Sequence, residues 1–473
     1  MGTQKPRAHE NQYIIKDITL ISHDGKEYSL DSQFLEFSFE ETIFQTTLHG
    51  TMQVLESIDY PTMLPMIGEE RIRISFTRTD EQTGDEIDPI KFEMPIYSLH
   101  NKLQEGKSGK RQTYSLAYCS DVVYSNLNSI VSKSFKNMTY SQMVRDICET
   151  FLKIDKPLVV EETQDVMDYV VQNQRPIKAI SKICQRSTSA EGNGLFYVFF
   201  EDREQFNFVT MKKLMKQEPI RTIYYGINNL PVGGTEGAFK NLARDMYSAT
   251  KVNEANAGFD ILKSALDSEG SSSIMSIDPI RRTFSIKTLD LRGGEAKAEV
   301  EKNVGSPISL EFADNSDLGA IAASDAPKTW TSKSKLFVNP RSTMKIVISQ
   351  AGQNTQEYIS QKDPSVRPYN PEQFLVQRTA EKNQFMKNII SVTLPGDPRI
   401  KAGCVIKFDF PEKSGFIGES QPEQLDKYMQ GNYIVVGVAH IVSRGKYKMN
   451  LELMKNTSHS EIKPVDLFNR SLS

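Results

Sequence analysis

The strongest constraint on the fold of this chain is a series of short segments in which apolar and polar residues alternate. Between residues 12 and 118 this alternation has the period of two that is typical of half-buried β-strands. Leu35, Phe37 and Phe39 fall on one face of such a strand, and Arg71–Phe76 shows the same pattern. No helical pattern separates these strands, so the segment 12–118 is predicted to be an antiparallel barrel or sandwich.

The next segment, residues 119–215, changes from strand to helix periodicity. An amphipathic helix is predicted after Thr139, where Gln142 completes a capping box that satisfies free amides at the helix start. A second helix is predicted from Pro176, because proline is tolerated in the first helical turn. Leu195–Met211 then predicts an aromatic hairpin, so the segment is an α+β domain.

The rest of the chain returns to strand patterns. Residues 216–290 are predicted to be a linker with strands of a second barrel, and 291–373 to be an insertion of unknown role. Residues 374–456 are predicted to form the second barrel, which closes on the hairpin Gly431–Met454. The stretch 457–473 is a C-terminal tail.

Two local signals support this last β segment. Pro395–Pro398 reads Pro-Gly-Asp-Pro, a turn cluster in which proline fixes φ and glycine accepts a positive φ. Tyr433–Val442 is apolar on both faces, which is typical of a strand covered on both sides.

Composition excludes several classes of function. With 57 basic and 60 acidic residues the net charge is −3, so no overall field attracts nucleic acid or an anionic membrane. The net charge does not exclude a local basic patch. The longest apolar runs, Leu195–Phe200 and Tyr433–Ala439, are far too short to span a bilayer. The N-terminal stretch Met1–Gln12 lacks the apolar core of a signal peptide.

The cysteines indicate a reducing compartment. The four of them are far apart and form no CxxC pair, so we predict buried free thiols in a protein made in the cytoplasm.

No catalytic, cofactor-binding or metal-ligating residue is predicted, and no cofactor. Gly233–Gly237 lacks the Lys-Ser/Thr of a phosphate loop and is predicted to be a flexible loop. Glu161 and Glu162 are adjacent and point in opposite directions, which makes a poor acid–base pair. The basic stretch Lys102–Arg111 is predicted to be a solvated hairpin loop, with nucleic-acid contact as the alternative. His440 is predicted to be a packed strand residue with a hydrogen-bond partner. The chain is therefore predicted not to be an enzyme.

The order of the segments resembles a known family. The stretches that carry the resemblance are, in chain order, Met66–Glu70, Tyr169–Asn173, Phe199–Asp202, Phe206–Phe208, Leu394–Pro398, Ala402–Gly403, Gly431–Tyr433 with His440, and Gly445–Tyr447. Together they resemble the baseplate hub subunit of contractile-tailed bacteriophages, a family that includes the hub part of type VI secretion spike proteins.

This resemblance implies a β-rich multidomain protein with two tube-like antiparallel β-barrel domains, an intervening α+β domain and an insertion. It implies a homotrimer in the baseplate of the virion tail, assembled in the host cytoplasm. The trimeric ring would adapt the hexameric tail tube to the trimeric central spike and let DNA pass during ejection. The implied partners are the spike protein, the tail tube protein or tube initiator and the baseplate wedge proteins, with the tape measure protein as a further candidate.

Two alternatives stay open at this stage. One is a tail-associated enzyme that degrades polysaccharide or peptidoglycan, which requires a pair of acids in a cleft. The other is the hub of a related contractile injection or secretion system. A spike with a fused hub would carry a long repetitive β-helix after the hub, whereas only Lys455–Ser473 follows the last predicted strand here.

Overall fold

A computed structural model describes most of the chain, which is rich in β-strands and largely antiparallel. The described residues are 13–63, 66–80, 85–105, 111–164, 166–192, 194–225, 248–256, 271–278, 283–290, 343–348, 378, 381–382, 385–386, 389–410, 429 and 431–455. The predictions for Met1–Gln12, for the glycine-rich loop 233–237 and for the tail 457–473 lie outside these residues, as do Lys107, Lys110 and most of the insertion.

The secondary-structure elements confirm the β-rich composition that the sequence indicates. The strands are β1 Ile14–Ile21, β2 Glu27–Ser29, β3 Phe34–Thr42, β4 His49–Glu56, β5 Arg71–Thr77, β6 Ile90–Glu105, β7 Arg111–Cys119, β8 Val131–Thr139, β9 Leu158–Val160, β10 Val166–Gln174, β11 Tyr197–Glu201, β12 Phe206–Thr210, β13 Thr222–Tyr224, β14 Lys251–Asn256, β15 Ser271–Asp278, β16 Thr283–Asp290, β17 Thr343–Ile348, β18 Ile389–Pro395, β19 Val405–Asp409, β20 Gly431–Ser443 and β21 Lys446–Met454. The helices are α1 Tyr60–Met63, α2 Val122–Asn128, α3 Tyr140–Ile147, α4 Pro176–Cys184 and α5 Met211–Met215, with a π-helical turn at Cys148–Leu152.

One large sheet contains strands from both the first and the last described segments of the chain. Of the described strands, 13 belong to it, in the order β14-β18-β21-β20-β3-β4-β7-β6-β5-β1-β2, with β19 beside β20 and β13 beside β19. The central contact is antiparallel pairing of β20 with β3, which sets Val438 opposite Glu41, His440 opposite Phe39 and Val442 opposite Phe37.

The side chains of β3 do not alternate from its first residue. Phe34, Phe37 and Phe39 are buried, whereas Leu35 is only half-buried. The predicted face containing Leu35 is therefore wrong at that position. The cause is a shift in the β3–β4 register between Phe34 and Glu36, since a bulge moves the following side chains to the other face.

The helical segment follows its local signals closely. The capping box at Thr139 and Gln142 is present, and Pro176 occupies the first turn of α4. The apolar faces of α3 and α4 pack on the aromatic side chains of β11 and β12 that point toward them. Opposite side chains of the same hairpin, including Val198 and Phe200, pack against Ile434 and Val436 of β20. The hairpin is thus covered on both faces.

Three strands form a separate sheet of their own. β15 pairs with β16 in antiparallel fashion and with β17 in parallel fashion. The strands of 216–290 are predicted to belong to the second barrel, and β13 and β14 do pair into the large sheet. β15 instead pairs with β17, a strand from the predicted insertion, and β16 pairs with β15, so these three strands form a sheet apart from the large one.

Two hydrophobic cores lie along the large sheet. The first packs residues of β1 and β3–β7 and includes Val442 and Tyr447. The second packs residues of β18–β21 and includes Val438 and Met449. The closing hairpin β20–β21 therefore contributes to both cores.

Candidate functional site: a polar junction between the segments

Buried polar and charged side chains mark the boundary between the two cores. On β20, Val438 belongs to one core and Val442 to the other, and His440 lies between them on the same face of the strand. On β3 the buried face that carries Phe37 and Phe39 continues to Glu41. We call the group at this boundary the polar junction; it comprises Glu41, Arg78, Arg203, Asp397, Arg399, Lys401 and His440.

An ion-pair network in the polar junction joins the first segment to the last. Asp397 lies 3.4 Å from Arg78, and both side chains are buried. Arg399 donates from Nε to Asp397 at 2.9 Å and from Nη1 to Asp80 at 2.6 Å. Burial alone would raise the pKa of Asp397, but the charge of Arg78 and the hydrogen bonds from Arg399 outweigh it and hold that pKa below its usual value. Two cations and two carboxylates balance one another, which makes the burial tolerable.

A glycine allows the chain to turn at this network. The amide of Gly396 donates to the carbonyl of Tyr447 at 3.0 Å, and a Cβ at residue 396 would collide with the Tyr447 ring. Gly396 is not among the residues with positive φ, so the predicted role in φ is wrong. The glycine is required by the close approach of the tyrosine ring.

His440 is packed between the cores, as the sequence predicted. Its Nδ1 lies 2.9 Å from the hydroxyl of Tyr447, and its ring is fully buried. Burial, together with the nearby charge of Arg203, lowers its pKa to about 3, so the imidazole is neutral at physiological pH.

Glu40 and Glu41 are neighbours on β3 with opposite environments. Glu40 is 43% exposed and pairs with His49 at 3.0 Å, and the hydrogen bond from His49 lowers its pKa. Glu41 is 1% exposed, and its Oε2 accepts one hydrogen bond, from the amide of Ala402 at 3.2 Å. Its Oε1 has no hydrogen-bond partner within the described residues. Burial raises the pKa of Glu41 to about 7, although Arg203 and Lys401 act against the rise.

The two cations that favour ionisation of Glu41, Arg203 and Lys401, both have other acidic neighbours. Lys401 binds Glu204 at 2.7 Å and lies 3.7 Å from Asp202. Arg203 reaches toward Glu204 through Nε at 3.8 Å, while its buried Nη1 has no hydrogen-bond partner in the described part of the chain. Within the described part of the chain, Glu41 is therefore a buried carboxyl without a close ion pair.

A second polar contact fixes the hairpin β11–β12 to the first segment. The buried carboxylate of Glu201 accepts hydrogen bonds from the amide of Leu48 at 3.3 Å and the hydroxyl of Ser120 at 3.0 Å. It also pairs with Lys156 at 2.8 Å. Its backbone amide donates to the carbonyl of Thr46 at 2.9 Å.

Arg378 and Glu381 hold the other end of the hairpin. Glu381 accepts from the amide of Leu195 at 2.9 Å, and Arg378 donates to the carbonyls of Leu195 and Ser187 at 2.9 and 2.8 Å. The α+β segment is therefore joined by hydrogen bonds to both β segments.

The acid pair considered in the sequence has structural contacts. Glu161 is buried and accepts from the hydroxyl of Ser189 at 2.6 Å and the amide of Thr210 at 2.8 Å. Glu162 is exposed and pairs with Arg145. The two carboxylates point apart, as predicted.

Three further observations concern ligand and membrane sites. Among the residues that the structure describes, no group of His, Cys, Asp and Glu is arranged to hold a metal ion. No described helix is long and apolar enough to cross a membrane. All four cysteines are buried free thiols, as predicted.

Sequence reasoning missed the polar junction. One signal was available for Glu41, because extending the alternation Phe37, Phe39 by two residues places it on the buried face. No local signal identifies Arg78 or Asp397, since their burial depends on pairing between distant parts of the chain.

No protein-family model matches this sequence, and no curated protein matches it. Several solved structures, in contrast, have a fold similar to that of this chain. A tail protein from Neisseria meningitidis MC58 has a TM-score of 0.50 and 8% identity, covering 95% of this chain and 99% of that one. The 43 kDa tail protein of prophage MuSo2 from Shewanella oneidensis has a TM-score of 0.50 and 7% identity, covering 94% and 100%. A type VI secretion component of E. coli gives a TM-score of 0.39 at 9% identity, covering 95% and 77%.

The first two comparisons define the class of fold. At such low identity they show a shared fold alone, and that fold is the one of these two tail proteins. The resemblance drawn from the sequence is confirmed at this level.

Proposed function

We propose that this chain is a structural hub subunit of a contractile phage tail baseplate. The observation that carries the proposal is the likeness to two tail proteins over nearly the full length of all three chains. In this role three copies form a ring that adapts the hexameric tail tube to the trimeric central spike, and DNA passes through the ring during ejection. The spike, the tube protein or its initiator, the wedge proteins and the tape measure protein are the proposed partners.

The large sheet supports a two-barrel organisation within each subunit. Two separate cores on one continuous sheet, divided by the polar junction, are what two adjoining tube-like barrels require. Balanced ion pairs at the boundary hold the two units in one orientation, because charged hydrogen bonds have defined geometry. A subunit of this kind contributes two similar units to a ring, so three subunits give six.

Exposed apolar side chains support assembly with other chains. Asp59 pairs with Lys102 at 3.1 Å, which brings the β4–β5 connection next to β6. Both elements expose large apolar side chains, and exposed apolar surface is a common feature of protein interfaces. These side chains are Ile58, Met63, Ile67, Tyr97 and Leu103.

Electron microscopy of the purified chain with its spike partner tests the proposal. We expect rings with threefold symmetry and an open channel, seated on the spike. Single subunits that never form rings, or rings without a threefold axis, would contradict it. Release of soluble fragments from purified peptidoglycan or host polysaccharide by the same sample would favour the enzyme alternative.

A further inference from the structure

The contacts around Glu41 place one buried carboxyl where three parts of the chain meet. Glu41 belongs to β3, Ala402 to the loop before β19, and Arg203 to the turn of the β11–β12 hairpin. The amide of Ala402 donates to Glu41 across a sequence separation of 361 residues. Any charge on Glu41 is therefore placed inside the joint between the first, α+β and last segments.

The hydrogen-bonding capacity of Glu41 is mostly unused in the closed joint. An ionised carboxylate has two oxygens that each seek donors, and a buried one without them is costly. Here Oε2 has one donor and Oε1 has none within the described residues. A neutral carboxyl requires less solvation, so the closed joint favours the protonated form.

The charged groups that face Glu41 do not remove this preference. Arg203 and Lys401 favour ionisation, while Asp202 opposes it. Both cations also lie near the surface acid Glu204, at 3.8 and 2.7 Å. The other titratable groups that interact with the charge of Glu41 are Cys404 and Tyr447, and burial raises the pKa of both side chains, so both are neutral in the range considered.

We propose that the protonation state of Glu41 controls local opening of this joint. The neutral carboxyl stabilises the packing of the three segments on one another, and the ionised carboxylate favours their local separation. Opening lets water reach Oε1 and breaks the hydrogen bond from Ala402. Half-exposed Glu40 on the opposite face of the same strand has no such role, because its carboxylate reaches solvent and pairs with His49. The proposal concerns movement within one subunit and is independent of the oligomeric state.

The direction of the pH effect follows from the two states. In the open joint a solvated carboxyl has its usual pKa of 4.5, whereas the closed joint holds it at about 7. Between these values the closed state binds more protons, so raising the pH favours opening. The open population should rise about tenfold per pH unit in this window and level off above it, with a total change of about 300-fold.

Hydrogen exchange of the peptide containing Ala402 measures the opening. Rates in the native protein are divided at each pH by rates in Glu41→Gln, which cancels the intrinsic pH dependence of exchange. We expect this ratio to rise about tenfold per unit from pH 5 to pH 7 and then to level off. Glu40→Gln is the matched control, and its own ratio to Glu41→Gln should follow the native curve.

Two results would overturn the proposal. One is a ratio that stays flat from pH 5 to pH 8, and the other is loss of the pH dependence in Glu40→Gln. If Glu41→Gln fails to fold, the native protein alone provides the test. The exchange rate at Ala402, corrected for intrinsic rates, should rise with pH relative to that of the peptide covering α3. An unchanged relative rate would refute the control of opening by Glu41.

Discussion

Replacing Glu201 by alanine should loosen the attachment of the β11–β12 hairpin to the first segment. The change leaves two buried donors without an acceptor. They are the amide of Leu48 and the hydroxyl of Ser120, which in the native protein donate to the carboxylate at 3.3 and 3.0 Å. Each unpaired donor costs about 1–3 kcal/mol. Lys156 is 31% exposed and can turn to water, so loss of its ion pair adds less than about 1 kcal/mol. We expect the free energy of unfolding to fall by about 3 kcal/mol.

Urea unfolding followed by far-ultraviolet circular dichroism measures this loss at fixed protein concentration. Glu204→Ala is the matched control in the same hairpin, because Glu204 is 62% exposed and pairs with Lys401 at 2.7 Å. An exposed pair of this kind contributes about 0–1 kcal/mol. A loss for Glu201→Ala no greater than that for Glu204→Ala would refute the reasoning that Glu201 fastens the two segments.

Other expectations follow from close packing and burial. Gly50→Ala places a Cβ about 2.6 Å from the Tyr118 ring and should lower the free energy of unfolding in urea by roughly 3 kcal/mol. Gly437→Ala, whose added Cβ has its nearest atom 3.5 Å away, should change that free energy by less than about 1 kcal/mol. Equal effects of the two substitutions would contradict the packing account. His440 should not titrate between pH 5 and pH 8 in histidine-labelled nuclear magnetic resonance spectra. Folding lowers the pKa of His440 from 6.5 to about 3, so the unfolded chain binds the proton more readily and the free energy of unfolding should fall as the pH drops below 6.5. A titration of His440 near pH 6.5 would show that the ring is solvated. Burial raises the thiol pKa from 9.0 to about 11 for Cys119 and to about 12 for Cys148, Cys184 and Cys404. At pH 8 a thiol reagent should therefore modify Cys119 roughly 100-fold, and the other three thiols roughly 1,000-fold, more slowly in the native protein than in the urea-unfolded chain, and rapid labelling of the folded protein would contradict their burial.

The parts of the fold that depend on neighbouring residues were predictable from the sequence. The capping box at Thr139 fixes the start of α3 through contacts three residues apart. The hairpin β11–β12 follows from two apolar runs around a polar turn. Such signals need no knowledge of the remaining chain.

The parts that depend on distant pairing were not predictable. The side chain of Leu35 leaves the expected face because a bulge against β4 shifts the register. The ion pair between Arg78 and Asp397 exists because β20 pairs with β3, which brings together the two ends of the chain. In sequence, Asp397 reads only as a turn residue, and no local pattern marks Arg78 as buried. Buried charges of this kind are recognised only when their partners are known.

The mass of the assembly tests the central claim most directly. Light scattering coupled to size exclusion should give three times the chain mass of 53.5 kDa, either for the chain alone or after its spike partner is added, once the mass of the spike is subtracted. Mixing the chain with a size-tagged copy of itself should yield two intermediate species between the pure forms, as three exchangeable positions require. A mass of 53.5 kDa under both conditions would contradict the trimeric hub.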